Sequence, residues 1–208
     1  MKTVILNASP RKNANTAKLL HAAMEGALAK GNEVSYYDLY DLNFMGCRSC
    51  LACKRKGTRR CHCYWNDSLS PVLDEIFEAD ALIVGSPIYL GDVSAALRSL
   101  LERLHFCCLS YDNYENYFKG KVKTAVILTM NATKMYFELA YRKAMKERLR
   151  GLGVLNSEME LLPCFDTLQV DDYSKYDMSS FDEEHKKKVH AEKFPEDLKK
   201  AYELGERL

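Results

Sequence analysis

Ten consecutive residues, Asn7-Ala8-Ser9-Pro10-Arg11-Lys12-Asn13-Ala14-Asn15-Thr16, gather hydroxyls, side-chain amides and a guanidinium, all groups that bind oxyanions. They follow an apolar run, Thr3-Val4-Ile5-Leu6, and open a helix beginning near Thr16, whose first amides and positive dipole end add to the set. Ser9, Arg11, Asn13, Asn15 and Thr16 are therefore candidates for holding a phosphate. The loop contains no glycine, so neither a G-x-G-x-x-G turn nor a G-x-x-x-x-G-K-[ST] cradle is present. It suits a terminal monophosphate better than a dinucleotide bridge. The alternative is an ordinary polar loop with an N-cap threonine. A second loop, Gly85-Ser86-Pro87-Ile88-Tyr89-Leu90-Gly91, follows the apolar run Ala81–Val84. Both loops belong at carboxyl ends of strands, where open α/β sheets bind ligands.

Cysteines form the other chemical signal. Cys47, Cys50 and Cys53 are spaced by two residues, Cys61 follows after seven more, and Cys63 comes next but one. Thiolates three apart in a tight loop converge on one centre, as in zinc and iron-sulfur sites. Lys54, Arg55, Lys56, Arg59 and Arg60 would offset the charge of bound thiolates. Cluster, zinc and metal-free thiols all remain open on spacing alone. Cys107, Cys108 and Cys164 read as small core residues. His62 is the one histidine adjacent to this pattern, and Asp67 and Asp92 read as helix-start charges.

The elements that must position these residues follow from periodicity. Leu19, Leu20, Ala23, Met24, Ala27 and Leu28 recur at helical spacing, with Gly31 as a stop, and Glu33–Leu39 alternates as a strand. Helical stripes over 69–77, 94–105 and 136–149 alternate with strands at 81–84, 123–129 and 159–162. Tyr111–Phe118 reads as a polar, aromatic excursion and 171–180 as a surface loop, followed by a charged segment interrupted at Pro195 and a last helix over 197–207. This order predicts a parallel sheet with right-handed crossovers, helices on both faces.

The chain has 208 residues and a formal net charge of +1, which fits one domain and gives no argument for nucleic acid or a membrane as partner. With no long apolar segment near the start and eight cysteines, a soluble, cytoplasmic protein is expected.

The motifs Asn-Ala-Ser-Pro-Arg-Lys-Asn-Ala-Asn-Thr and Gly-Ser-Pro-Ile-Tyr-Leu-Gly, with the helix Val93–Arg103, resemble the NAD(P)H-dependent FMN reductases of the flavodoxin-like superfamily. The cysteine segment is similar to that of the iron-sulfur flavoprotein branch. The resemblance implies a doubly wound five-stranded parallel sheet of order 2-1-3-4-5 over residues 1–165, carrying a cysteine-rich insert at 47–63. Residues 166–208 would then be an extension packing on the same domain or on a neighbouring subunit. It implies that Ser9, Arg11, Asn15 and Thr16 hold the FMN phosphate, that Pro87, Ile88, Tyr89 and Gly91 lie along the ribityl chain and ring, and that Cys47, Cys50, Cys53 and Cys61 ligate a [4Fe-4S] cluster. The loop Met130-Asn131-Ala132-Thr133 departs from the glycine-containing turn of many relatives, with Asn131 as its candidate contact. The activity implied is an NAD(P)H oxidoreductase passing electrons through FMN to a quinone or free flavin, in a homodimer or homotetramer. No side chain is singled out as catalytic. The alternatives are an iron-sulfur electron carrier or redox sensor linked to ferredoxin, and a zinc-stabilised module with a vestigial nucleotide pocket.

Overall fold

The computed structural model describes all 208 residues. Its elements in chain order are β1 (Lys2–Asn7), α1 (Asn15–Ala29), β2 (Glu33–Asp38), α2 (Ser70–Glu78), β3 (Ala81–Tyr89), the short β4 (Asp92–Val93), α3 (Ala95–Cys108), β5 (Lys123–Thr129), α4 (Lys134–Tyr136), α5 (Arg142–Arg148), β6 (Met159–Cys164) and α6 (Glu183–Arg207). The parallel sheet runs β2-β1-β3-β5-β6, while β4 pairs antiparallel with the end of β3. Leaving out that two-residue strand, the order is the flavodoxin-like 2-1-3-4-5 pattern.

The central strands are apolar on both faces because helices cover both. Val4, Leu6, Leu82, Val84, Val126 and Leu128 join α2 and α3 in one core, and Ile5, Ile83, Ala125 and Ile127 join α1 and α6 in the other. The register sets Asn7 beside Gly85, Pro87 beside Thr129, and Thr129 beside Cys164, so four loops leave the sheet along one edge.

Three sequence expectations change in detail. The last helix is not interrupted at Pro195: α6 passes through it, held by Phe194, Ala201 and Leu204 in the α1-side core. A proline inside a helix removes one hydrogen bond, and burial on both sides of the break keeps the axis continuous. Second, the expected helix over 136–149 contains a π-helical turn at Phe137–Tyr141, which shifts its buried stripe to Phe137, Met145 and Leu149 and leaves Tyr136 and Leu139 exposed. Third, Ser94 caps α3 by accepting from the Leu97 N–H, whereas Asp92 pairs with Arg98 and Arg148.

α6 lies directly on α1. At Gly26 a Cβ would overlap the Tyr202 carbonyl, and at Gly205 it would overlap the Ala23 carbonyl, so the two backbones touch where side chains would hold them apart.

Candidate functional site: a sheet-edge cradle and a thiol cavity

One cavity of about 90 Å³ at the carboxyl edge of the sheet is lined by Ser9, Arg11, Asn15, Thr16, Pro87, Ile88, Tyr89 and Asn131. The two loops singled out in the sequence therefore meet in space. Asn7 begins the first loop: its side-chain oxygen accepts from the Ser9 N–H at 3.0 Å while its amide donates to Asp38 at 2.8 Å. The Ser9 hydroxyl then accepts from the Arg11 N–H at 3.2 Å, closing a tight turn without glycine. α1 starts at Asn15 with Ala14 in the N-cap position and no side-chain cap. Thr16 does not cap it, because its hydroxyl is bonded to that of Thr129 at 2.8 Å. The first turn's amides are thus left without a side-chain acceptor, the arrangement that receives an anion.

The second loop is locked from below. Ser86 is fully buried, accepts from the Ser94 N–H at 3.0 Å and donates to the Pro87 carbonyl at 2.9 Å. This leaves Ile88 half-buried and Tyr89 exposed beside the cavity. Gly91, at φ +75°, lies outside the cavity lining and close to the Tyr141 ring. Asn13 faces an adjoining cavity of about 530 Å³ with Lys12, Lys18 and His190.

A strap that the sequence did not single out crosses between these two cavities. The Arg11 guanidinium donates to the Gln169 carbonyl and the Asn15 amide to the Leu168 carbonyl, each at 2.7 Å. Thr167 is bonded to the Met130 carbonyl through both its N–H and its hydroxyl, and the Gln169 N–H donates to the Tyr173 hydroxyl at 3.0 Å. Lys186, nearly buried at the start of α6, donates to the Asn131 carbonyl at 2.8 Å and pairs with Asp166. Burial pushes the Asp166 carboxyl up, but hydrogen bonds from Lys186 and His185 outweigh it and hold it below the usual range.

The cysteine segment has little regular structure and is fastened by cations. Lys54 donates to the Phe106 and Leu109 carbonyls at the end of α3 and sits over the Phe106 ring. Arg103, buried on α3, binds Asp67 at 2.6 Å and the Trp65 carbonyl at 3.0 Å. Cys47, Cys50, Cys53, Cys63 and Cys107 line one small cavity of about 20 Å³ with Arg103. Cys61 lies outside that lining, near Cys108. His62, between them, is bonded to Asp74 at 2.8 Å. No three metal-binding side chains converge closely enough to hold a single ion.

A family model described as NADPH-dependent FMN reductase matches residues 1–145. The chain belongs to this FMN reductase family. Among its relatives, an iron-sulfur flavoprotein of Methanocaldococcus jannaschii is 35% identical over 103 residues, 50% of this chain and 51% of that protein. One from Methanosarcina thermophila is 30% identical over 103 residues, 50% of this chain and 52% of that protein. The chain spans about half the length of the curated relatives it matches. An NAD(P)H:quinone oxidoreductase from Methanothermobacter marburgensis shares the fold with a TM-score of 0.68 at 21% identity, covering 99% of this chain and 96% of that one. A flavodoxin from the domain Archaea does so with a TM-score of 0.52 at 15% identity, covering 99% and 94%.

The donor set of the cradle in this FMN reductase family member suits the chemistry of a flavin mononucleotide. Its uncapped helix start and Arg11 suit a phosphate, and Asn131 Oδ1 is buried with no partner in the protein, an acceptor for a ligand N–H. Thr129, Thr167 and Gln169 also line the cavity and were missed. Each follows or ends a strand on the same edge, so the carboxyl-end rule that flagged the first two loops would have flagged them. Lys186 was hidden in a charged run that reads as a solvated face.

Proposed function

We propose that the protein is an FMN-dependent oxidoreductase that takes reducing equivalents from NADH or NADPH and passes them to a second acceptor, a quinone or free flavin. The observation that carries this reading is the single cavity in which the phosphate loop, the Pro87–Tyr89 bend and Asn131 meet. Bound FMN supplies hydride acceptance and onward electron transfer. The chain's own residues bind and orient. Arg11, Asn15 and the α1 amides hold the phosphate, after Arg11 and Asn15 release the strap carbonyls. The bend held by Ser86 offers a fixed ledge to the ring, and Asn131, fixed through its carbonyl by Lys186, presents an acceptor. No nucleophile or general base is needed from a side chain. FMN titration followed by flavin fluorescence, then NADH and NADPH oxidation with a quinone, tests this; unquenched fluorescence in excess FMN would sink it.

A second reading, an iron-sulfur flavoprotein that carries electrons from a ferredoxin, is favoured by the thiols around one cavity and by the names of the curated relatives. A cubane cluster hangs its thiolates on separate irons, so they stand farther apart than the ligands of one ion. The donor set around the cavity fits such a group in chemistry. Reduction of the loaded protein by ferredoxin, with no turnover from NAD(P)H, separates this reading from the first. In either case we propose a homo-oligomer, supported by exposed Leu90, Met135, Tyr136 and Leu139, working in a reducing cytoplasm, supported by eight free cysteines.

A further inference from the structure

We propose that Cys63, and not Cys61, completes the thiolate set with Cys47, Cys50 and Cys53, the four serving a cubane-class iron-sulfur cluster. This rests on the second reading above and assigns its ligands.

The resemblance implies Cys61, the first cysteine after Cys53, as the fourth ligand. The backbone reverses that preference. In an extended stretch, residues two apart face the same side, which would send Cys61 and Cys63 together. Cys61 instead has φ +53°, in the left-handed region, and this breaks the alternation. It lies near Cys108 at the end of α3, while Cys63 joins the lining of the cavity shared by Cys47, Cys50 and Cys53. His62, tied to Asp74 on α2, fixes the chain between the two.

Arg103 supplies an independent indication. It is 1% exposed, lines the same cavity as Cys63, and its Nε is buried without a partner. A buried guanidinium with spare donor capacity beside Cys63 suits an anionic, thiolate-ligated centre. The cations near Cys61, Arg59, Lys54 and Lys119, are exposed or half-buried, unlike Arg103. The fifth thiol of the cavity, Cys107, is already engaged, donating to the Leu104 carbonyl at 3.4 Å. Cys47 accepts from the Ser49 N–H at 3.5 Å, the kind of amide-to-sulfur contact that supports a bound thiolate. Ser49 and Leu51 are also left-handed, so the loop curls around the cavity rather than running past it. On binding, each of the four thiols gives its proton to solvent and its sulfur to one iron.

The test is anaerobic incubation of the full chain with equimolar ferric and ferrous iron and sulfide, followed by desalting. Iron and acid-labile sulfide per chain are measured, with EPR after dithionite reduction, and FMN uptake is followed on the same samples by fluorescence quenching. Wild type and Cys61→Ser should retain equal iron and sulfide, and Cys63→Ser should retain about fourfold less. The unmutated protein gives a second readout: alkylation with iodoacetamide, read by mass spectrometry, should find Cys63 protected in loaded protein and Cys61 still reactive. That readout stands even if Cys63→Ser does not fold. Loss confined to Cys61→Ser, equal loss or equal retention in both variants, or no iron uptake by wild type would each overturn the assignment. FMN uptake reports separately on the flavin reading, so its failure is distinguishable from failure here.

Discussion

The sheet-edge cradle and the cysteine segment sit on one sheet and are built by opposite means. The cradle is made of short turns between regular elements, where Asn7 bonds Ser9, Ser9 bonds Arg11, Ser86 bonds Ser94 and Thr16 bonds Thr129, and the strand register supplies the geometry. The cysteine segment lacks such a frame, and long cations from outside or within it, Arg103 and Lys54, hold it against α3. A site framed by strands tolerates the loss of one contact, whereas a site hung on buried charge does not.

The sharpest way to break this contrast is Arg103→Met. Removing one partner of a buried pair costs about 3–5 kcal/mol, here leaving Asp67, at 12% side-chain exposure, without its cation. Urea denaturation should show that loss, and surviving protein should still quench FMN fluorescence; equal damage to both sites would erase the distinction. Next, Arg11→Ala should weaken FMN binding about tenfold or more, the worth of a charge-assisted hydrogen bond, with iron uptake unchanged. Third, Lys186→Met should loosen the Asn131 loop and weaken FMN binding by a smaller factor, about threefold.

A pH effect accompanies Lys186→Met. The Asp166 carboxyl is held below its ordinary value when folded, so its contribution to stability is full above about pH 4, the unfolded value, and is lost as pH falls through the folded one. Unfolding midpoints of wild type and Asp166→Asn should therefore differ at pH 7 and converge in acid; a constant gap would remove the ion pair from the account. The smallest effect is expected at Asp182, whose side chain caps α6 by accepting from the His185 N–H. Asp182→Ala should cost about 1 kcal/mol in thermal unfolding without touching either site.

Legibility in the sequence followed the same divide. Strand runs such as Val4-Ile5-Leu6 and Leu82-Ile83-Val84 announce buried strands, and loops at their ends can be paired by topology before any distance is known. Asn13 and Gly91 belong to those loops, yet they face a neighbouring cavity and the Tyr141 ring, because a motif fixes which loop takes part and not where each side chain turns. The strap residues Thr167 and Gln169 follow the last strand in a stretch with no regular pattern. The π-helical turn and the unbroken passage of α6 through Pro195 were decided by packing, which local periodicity does not record. Among the thiols, one left-handed residue at Cys61 redistributes the partners, and spacing carries no information about that angle.

α6 reaches both halves of the cradle. At its first turn Lys186 grips the Asn131 loop, and along its length it rests backbone to backbone on the helix whose start forms the phosphate loop. The helix acts as a splint, coupling the two ends of the ligand groove through a stiff rod of 25 residues. A bulky replacement at Gly205, far from any ligand, should therefore tilt that rod and misalign both grips together.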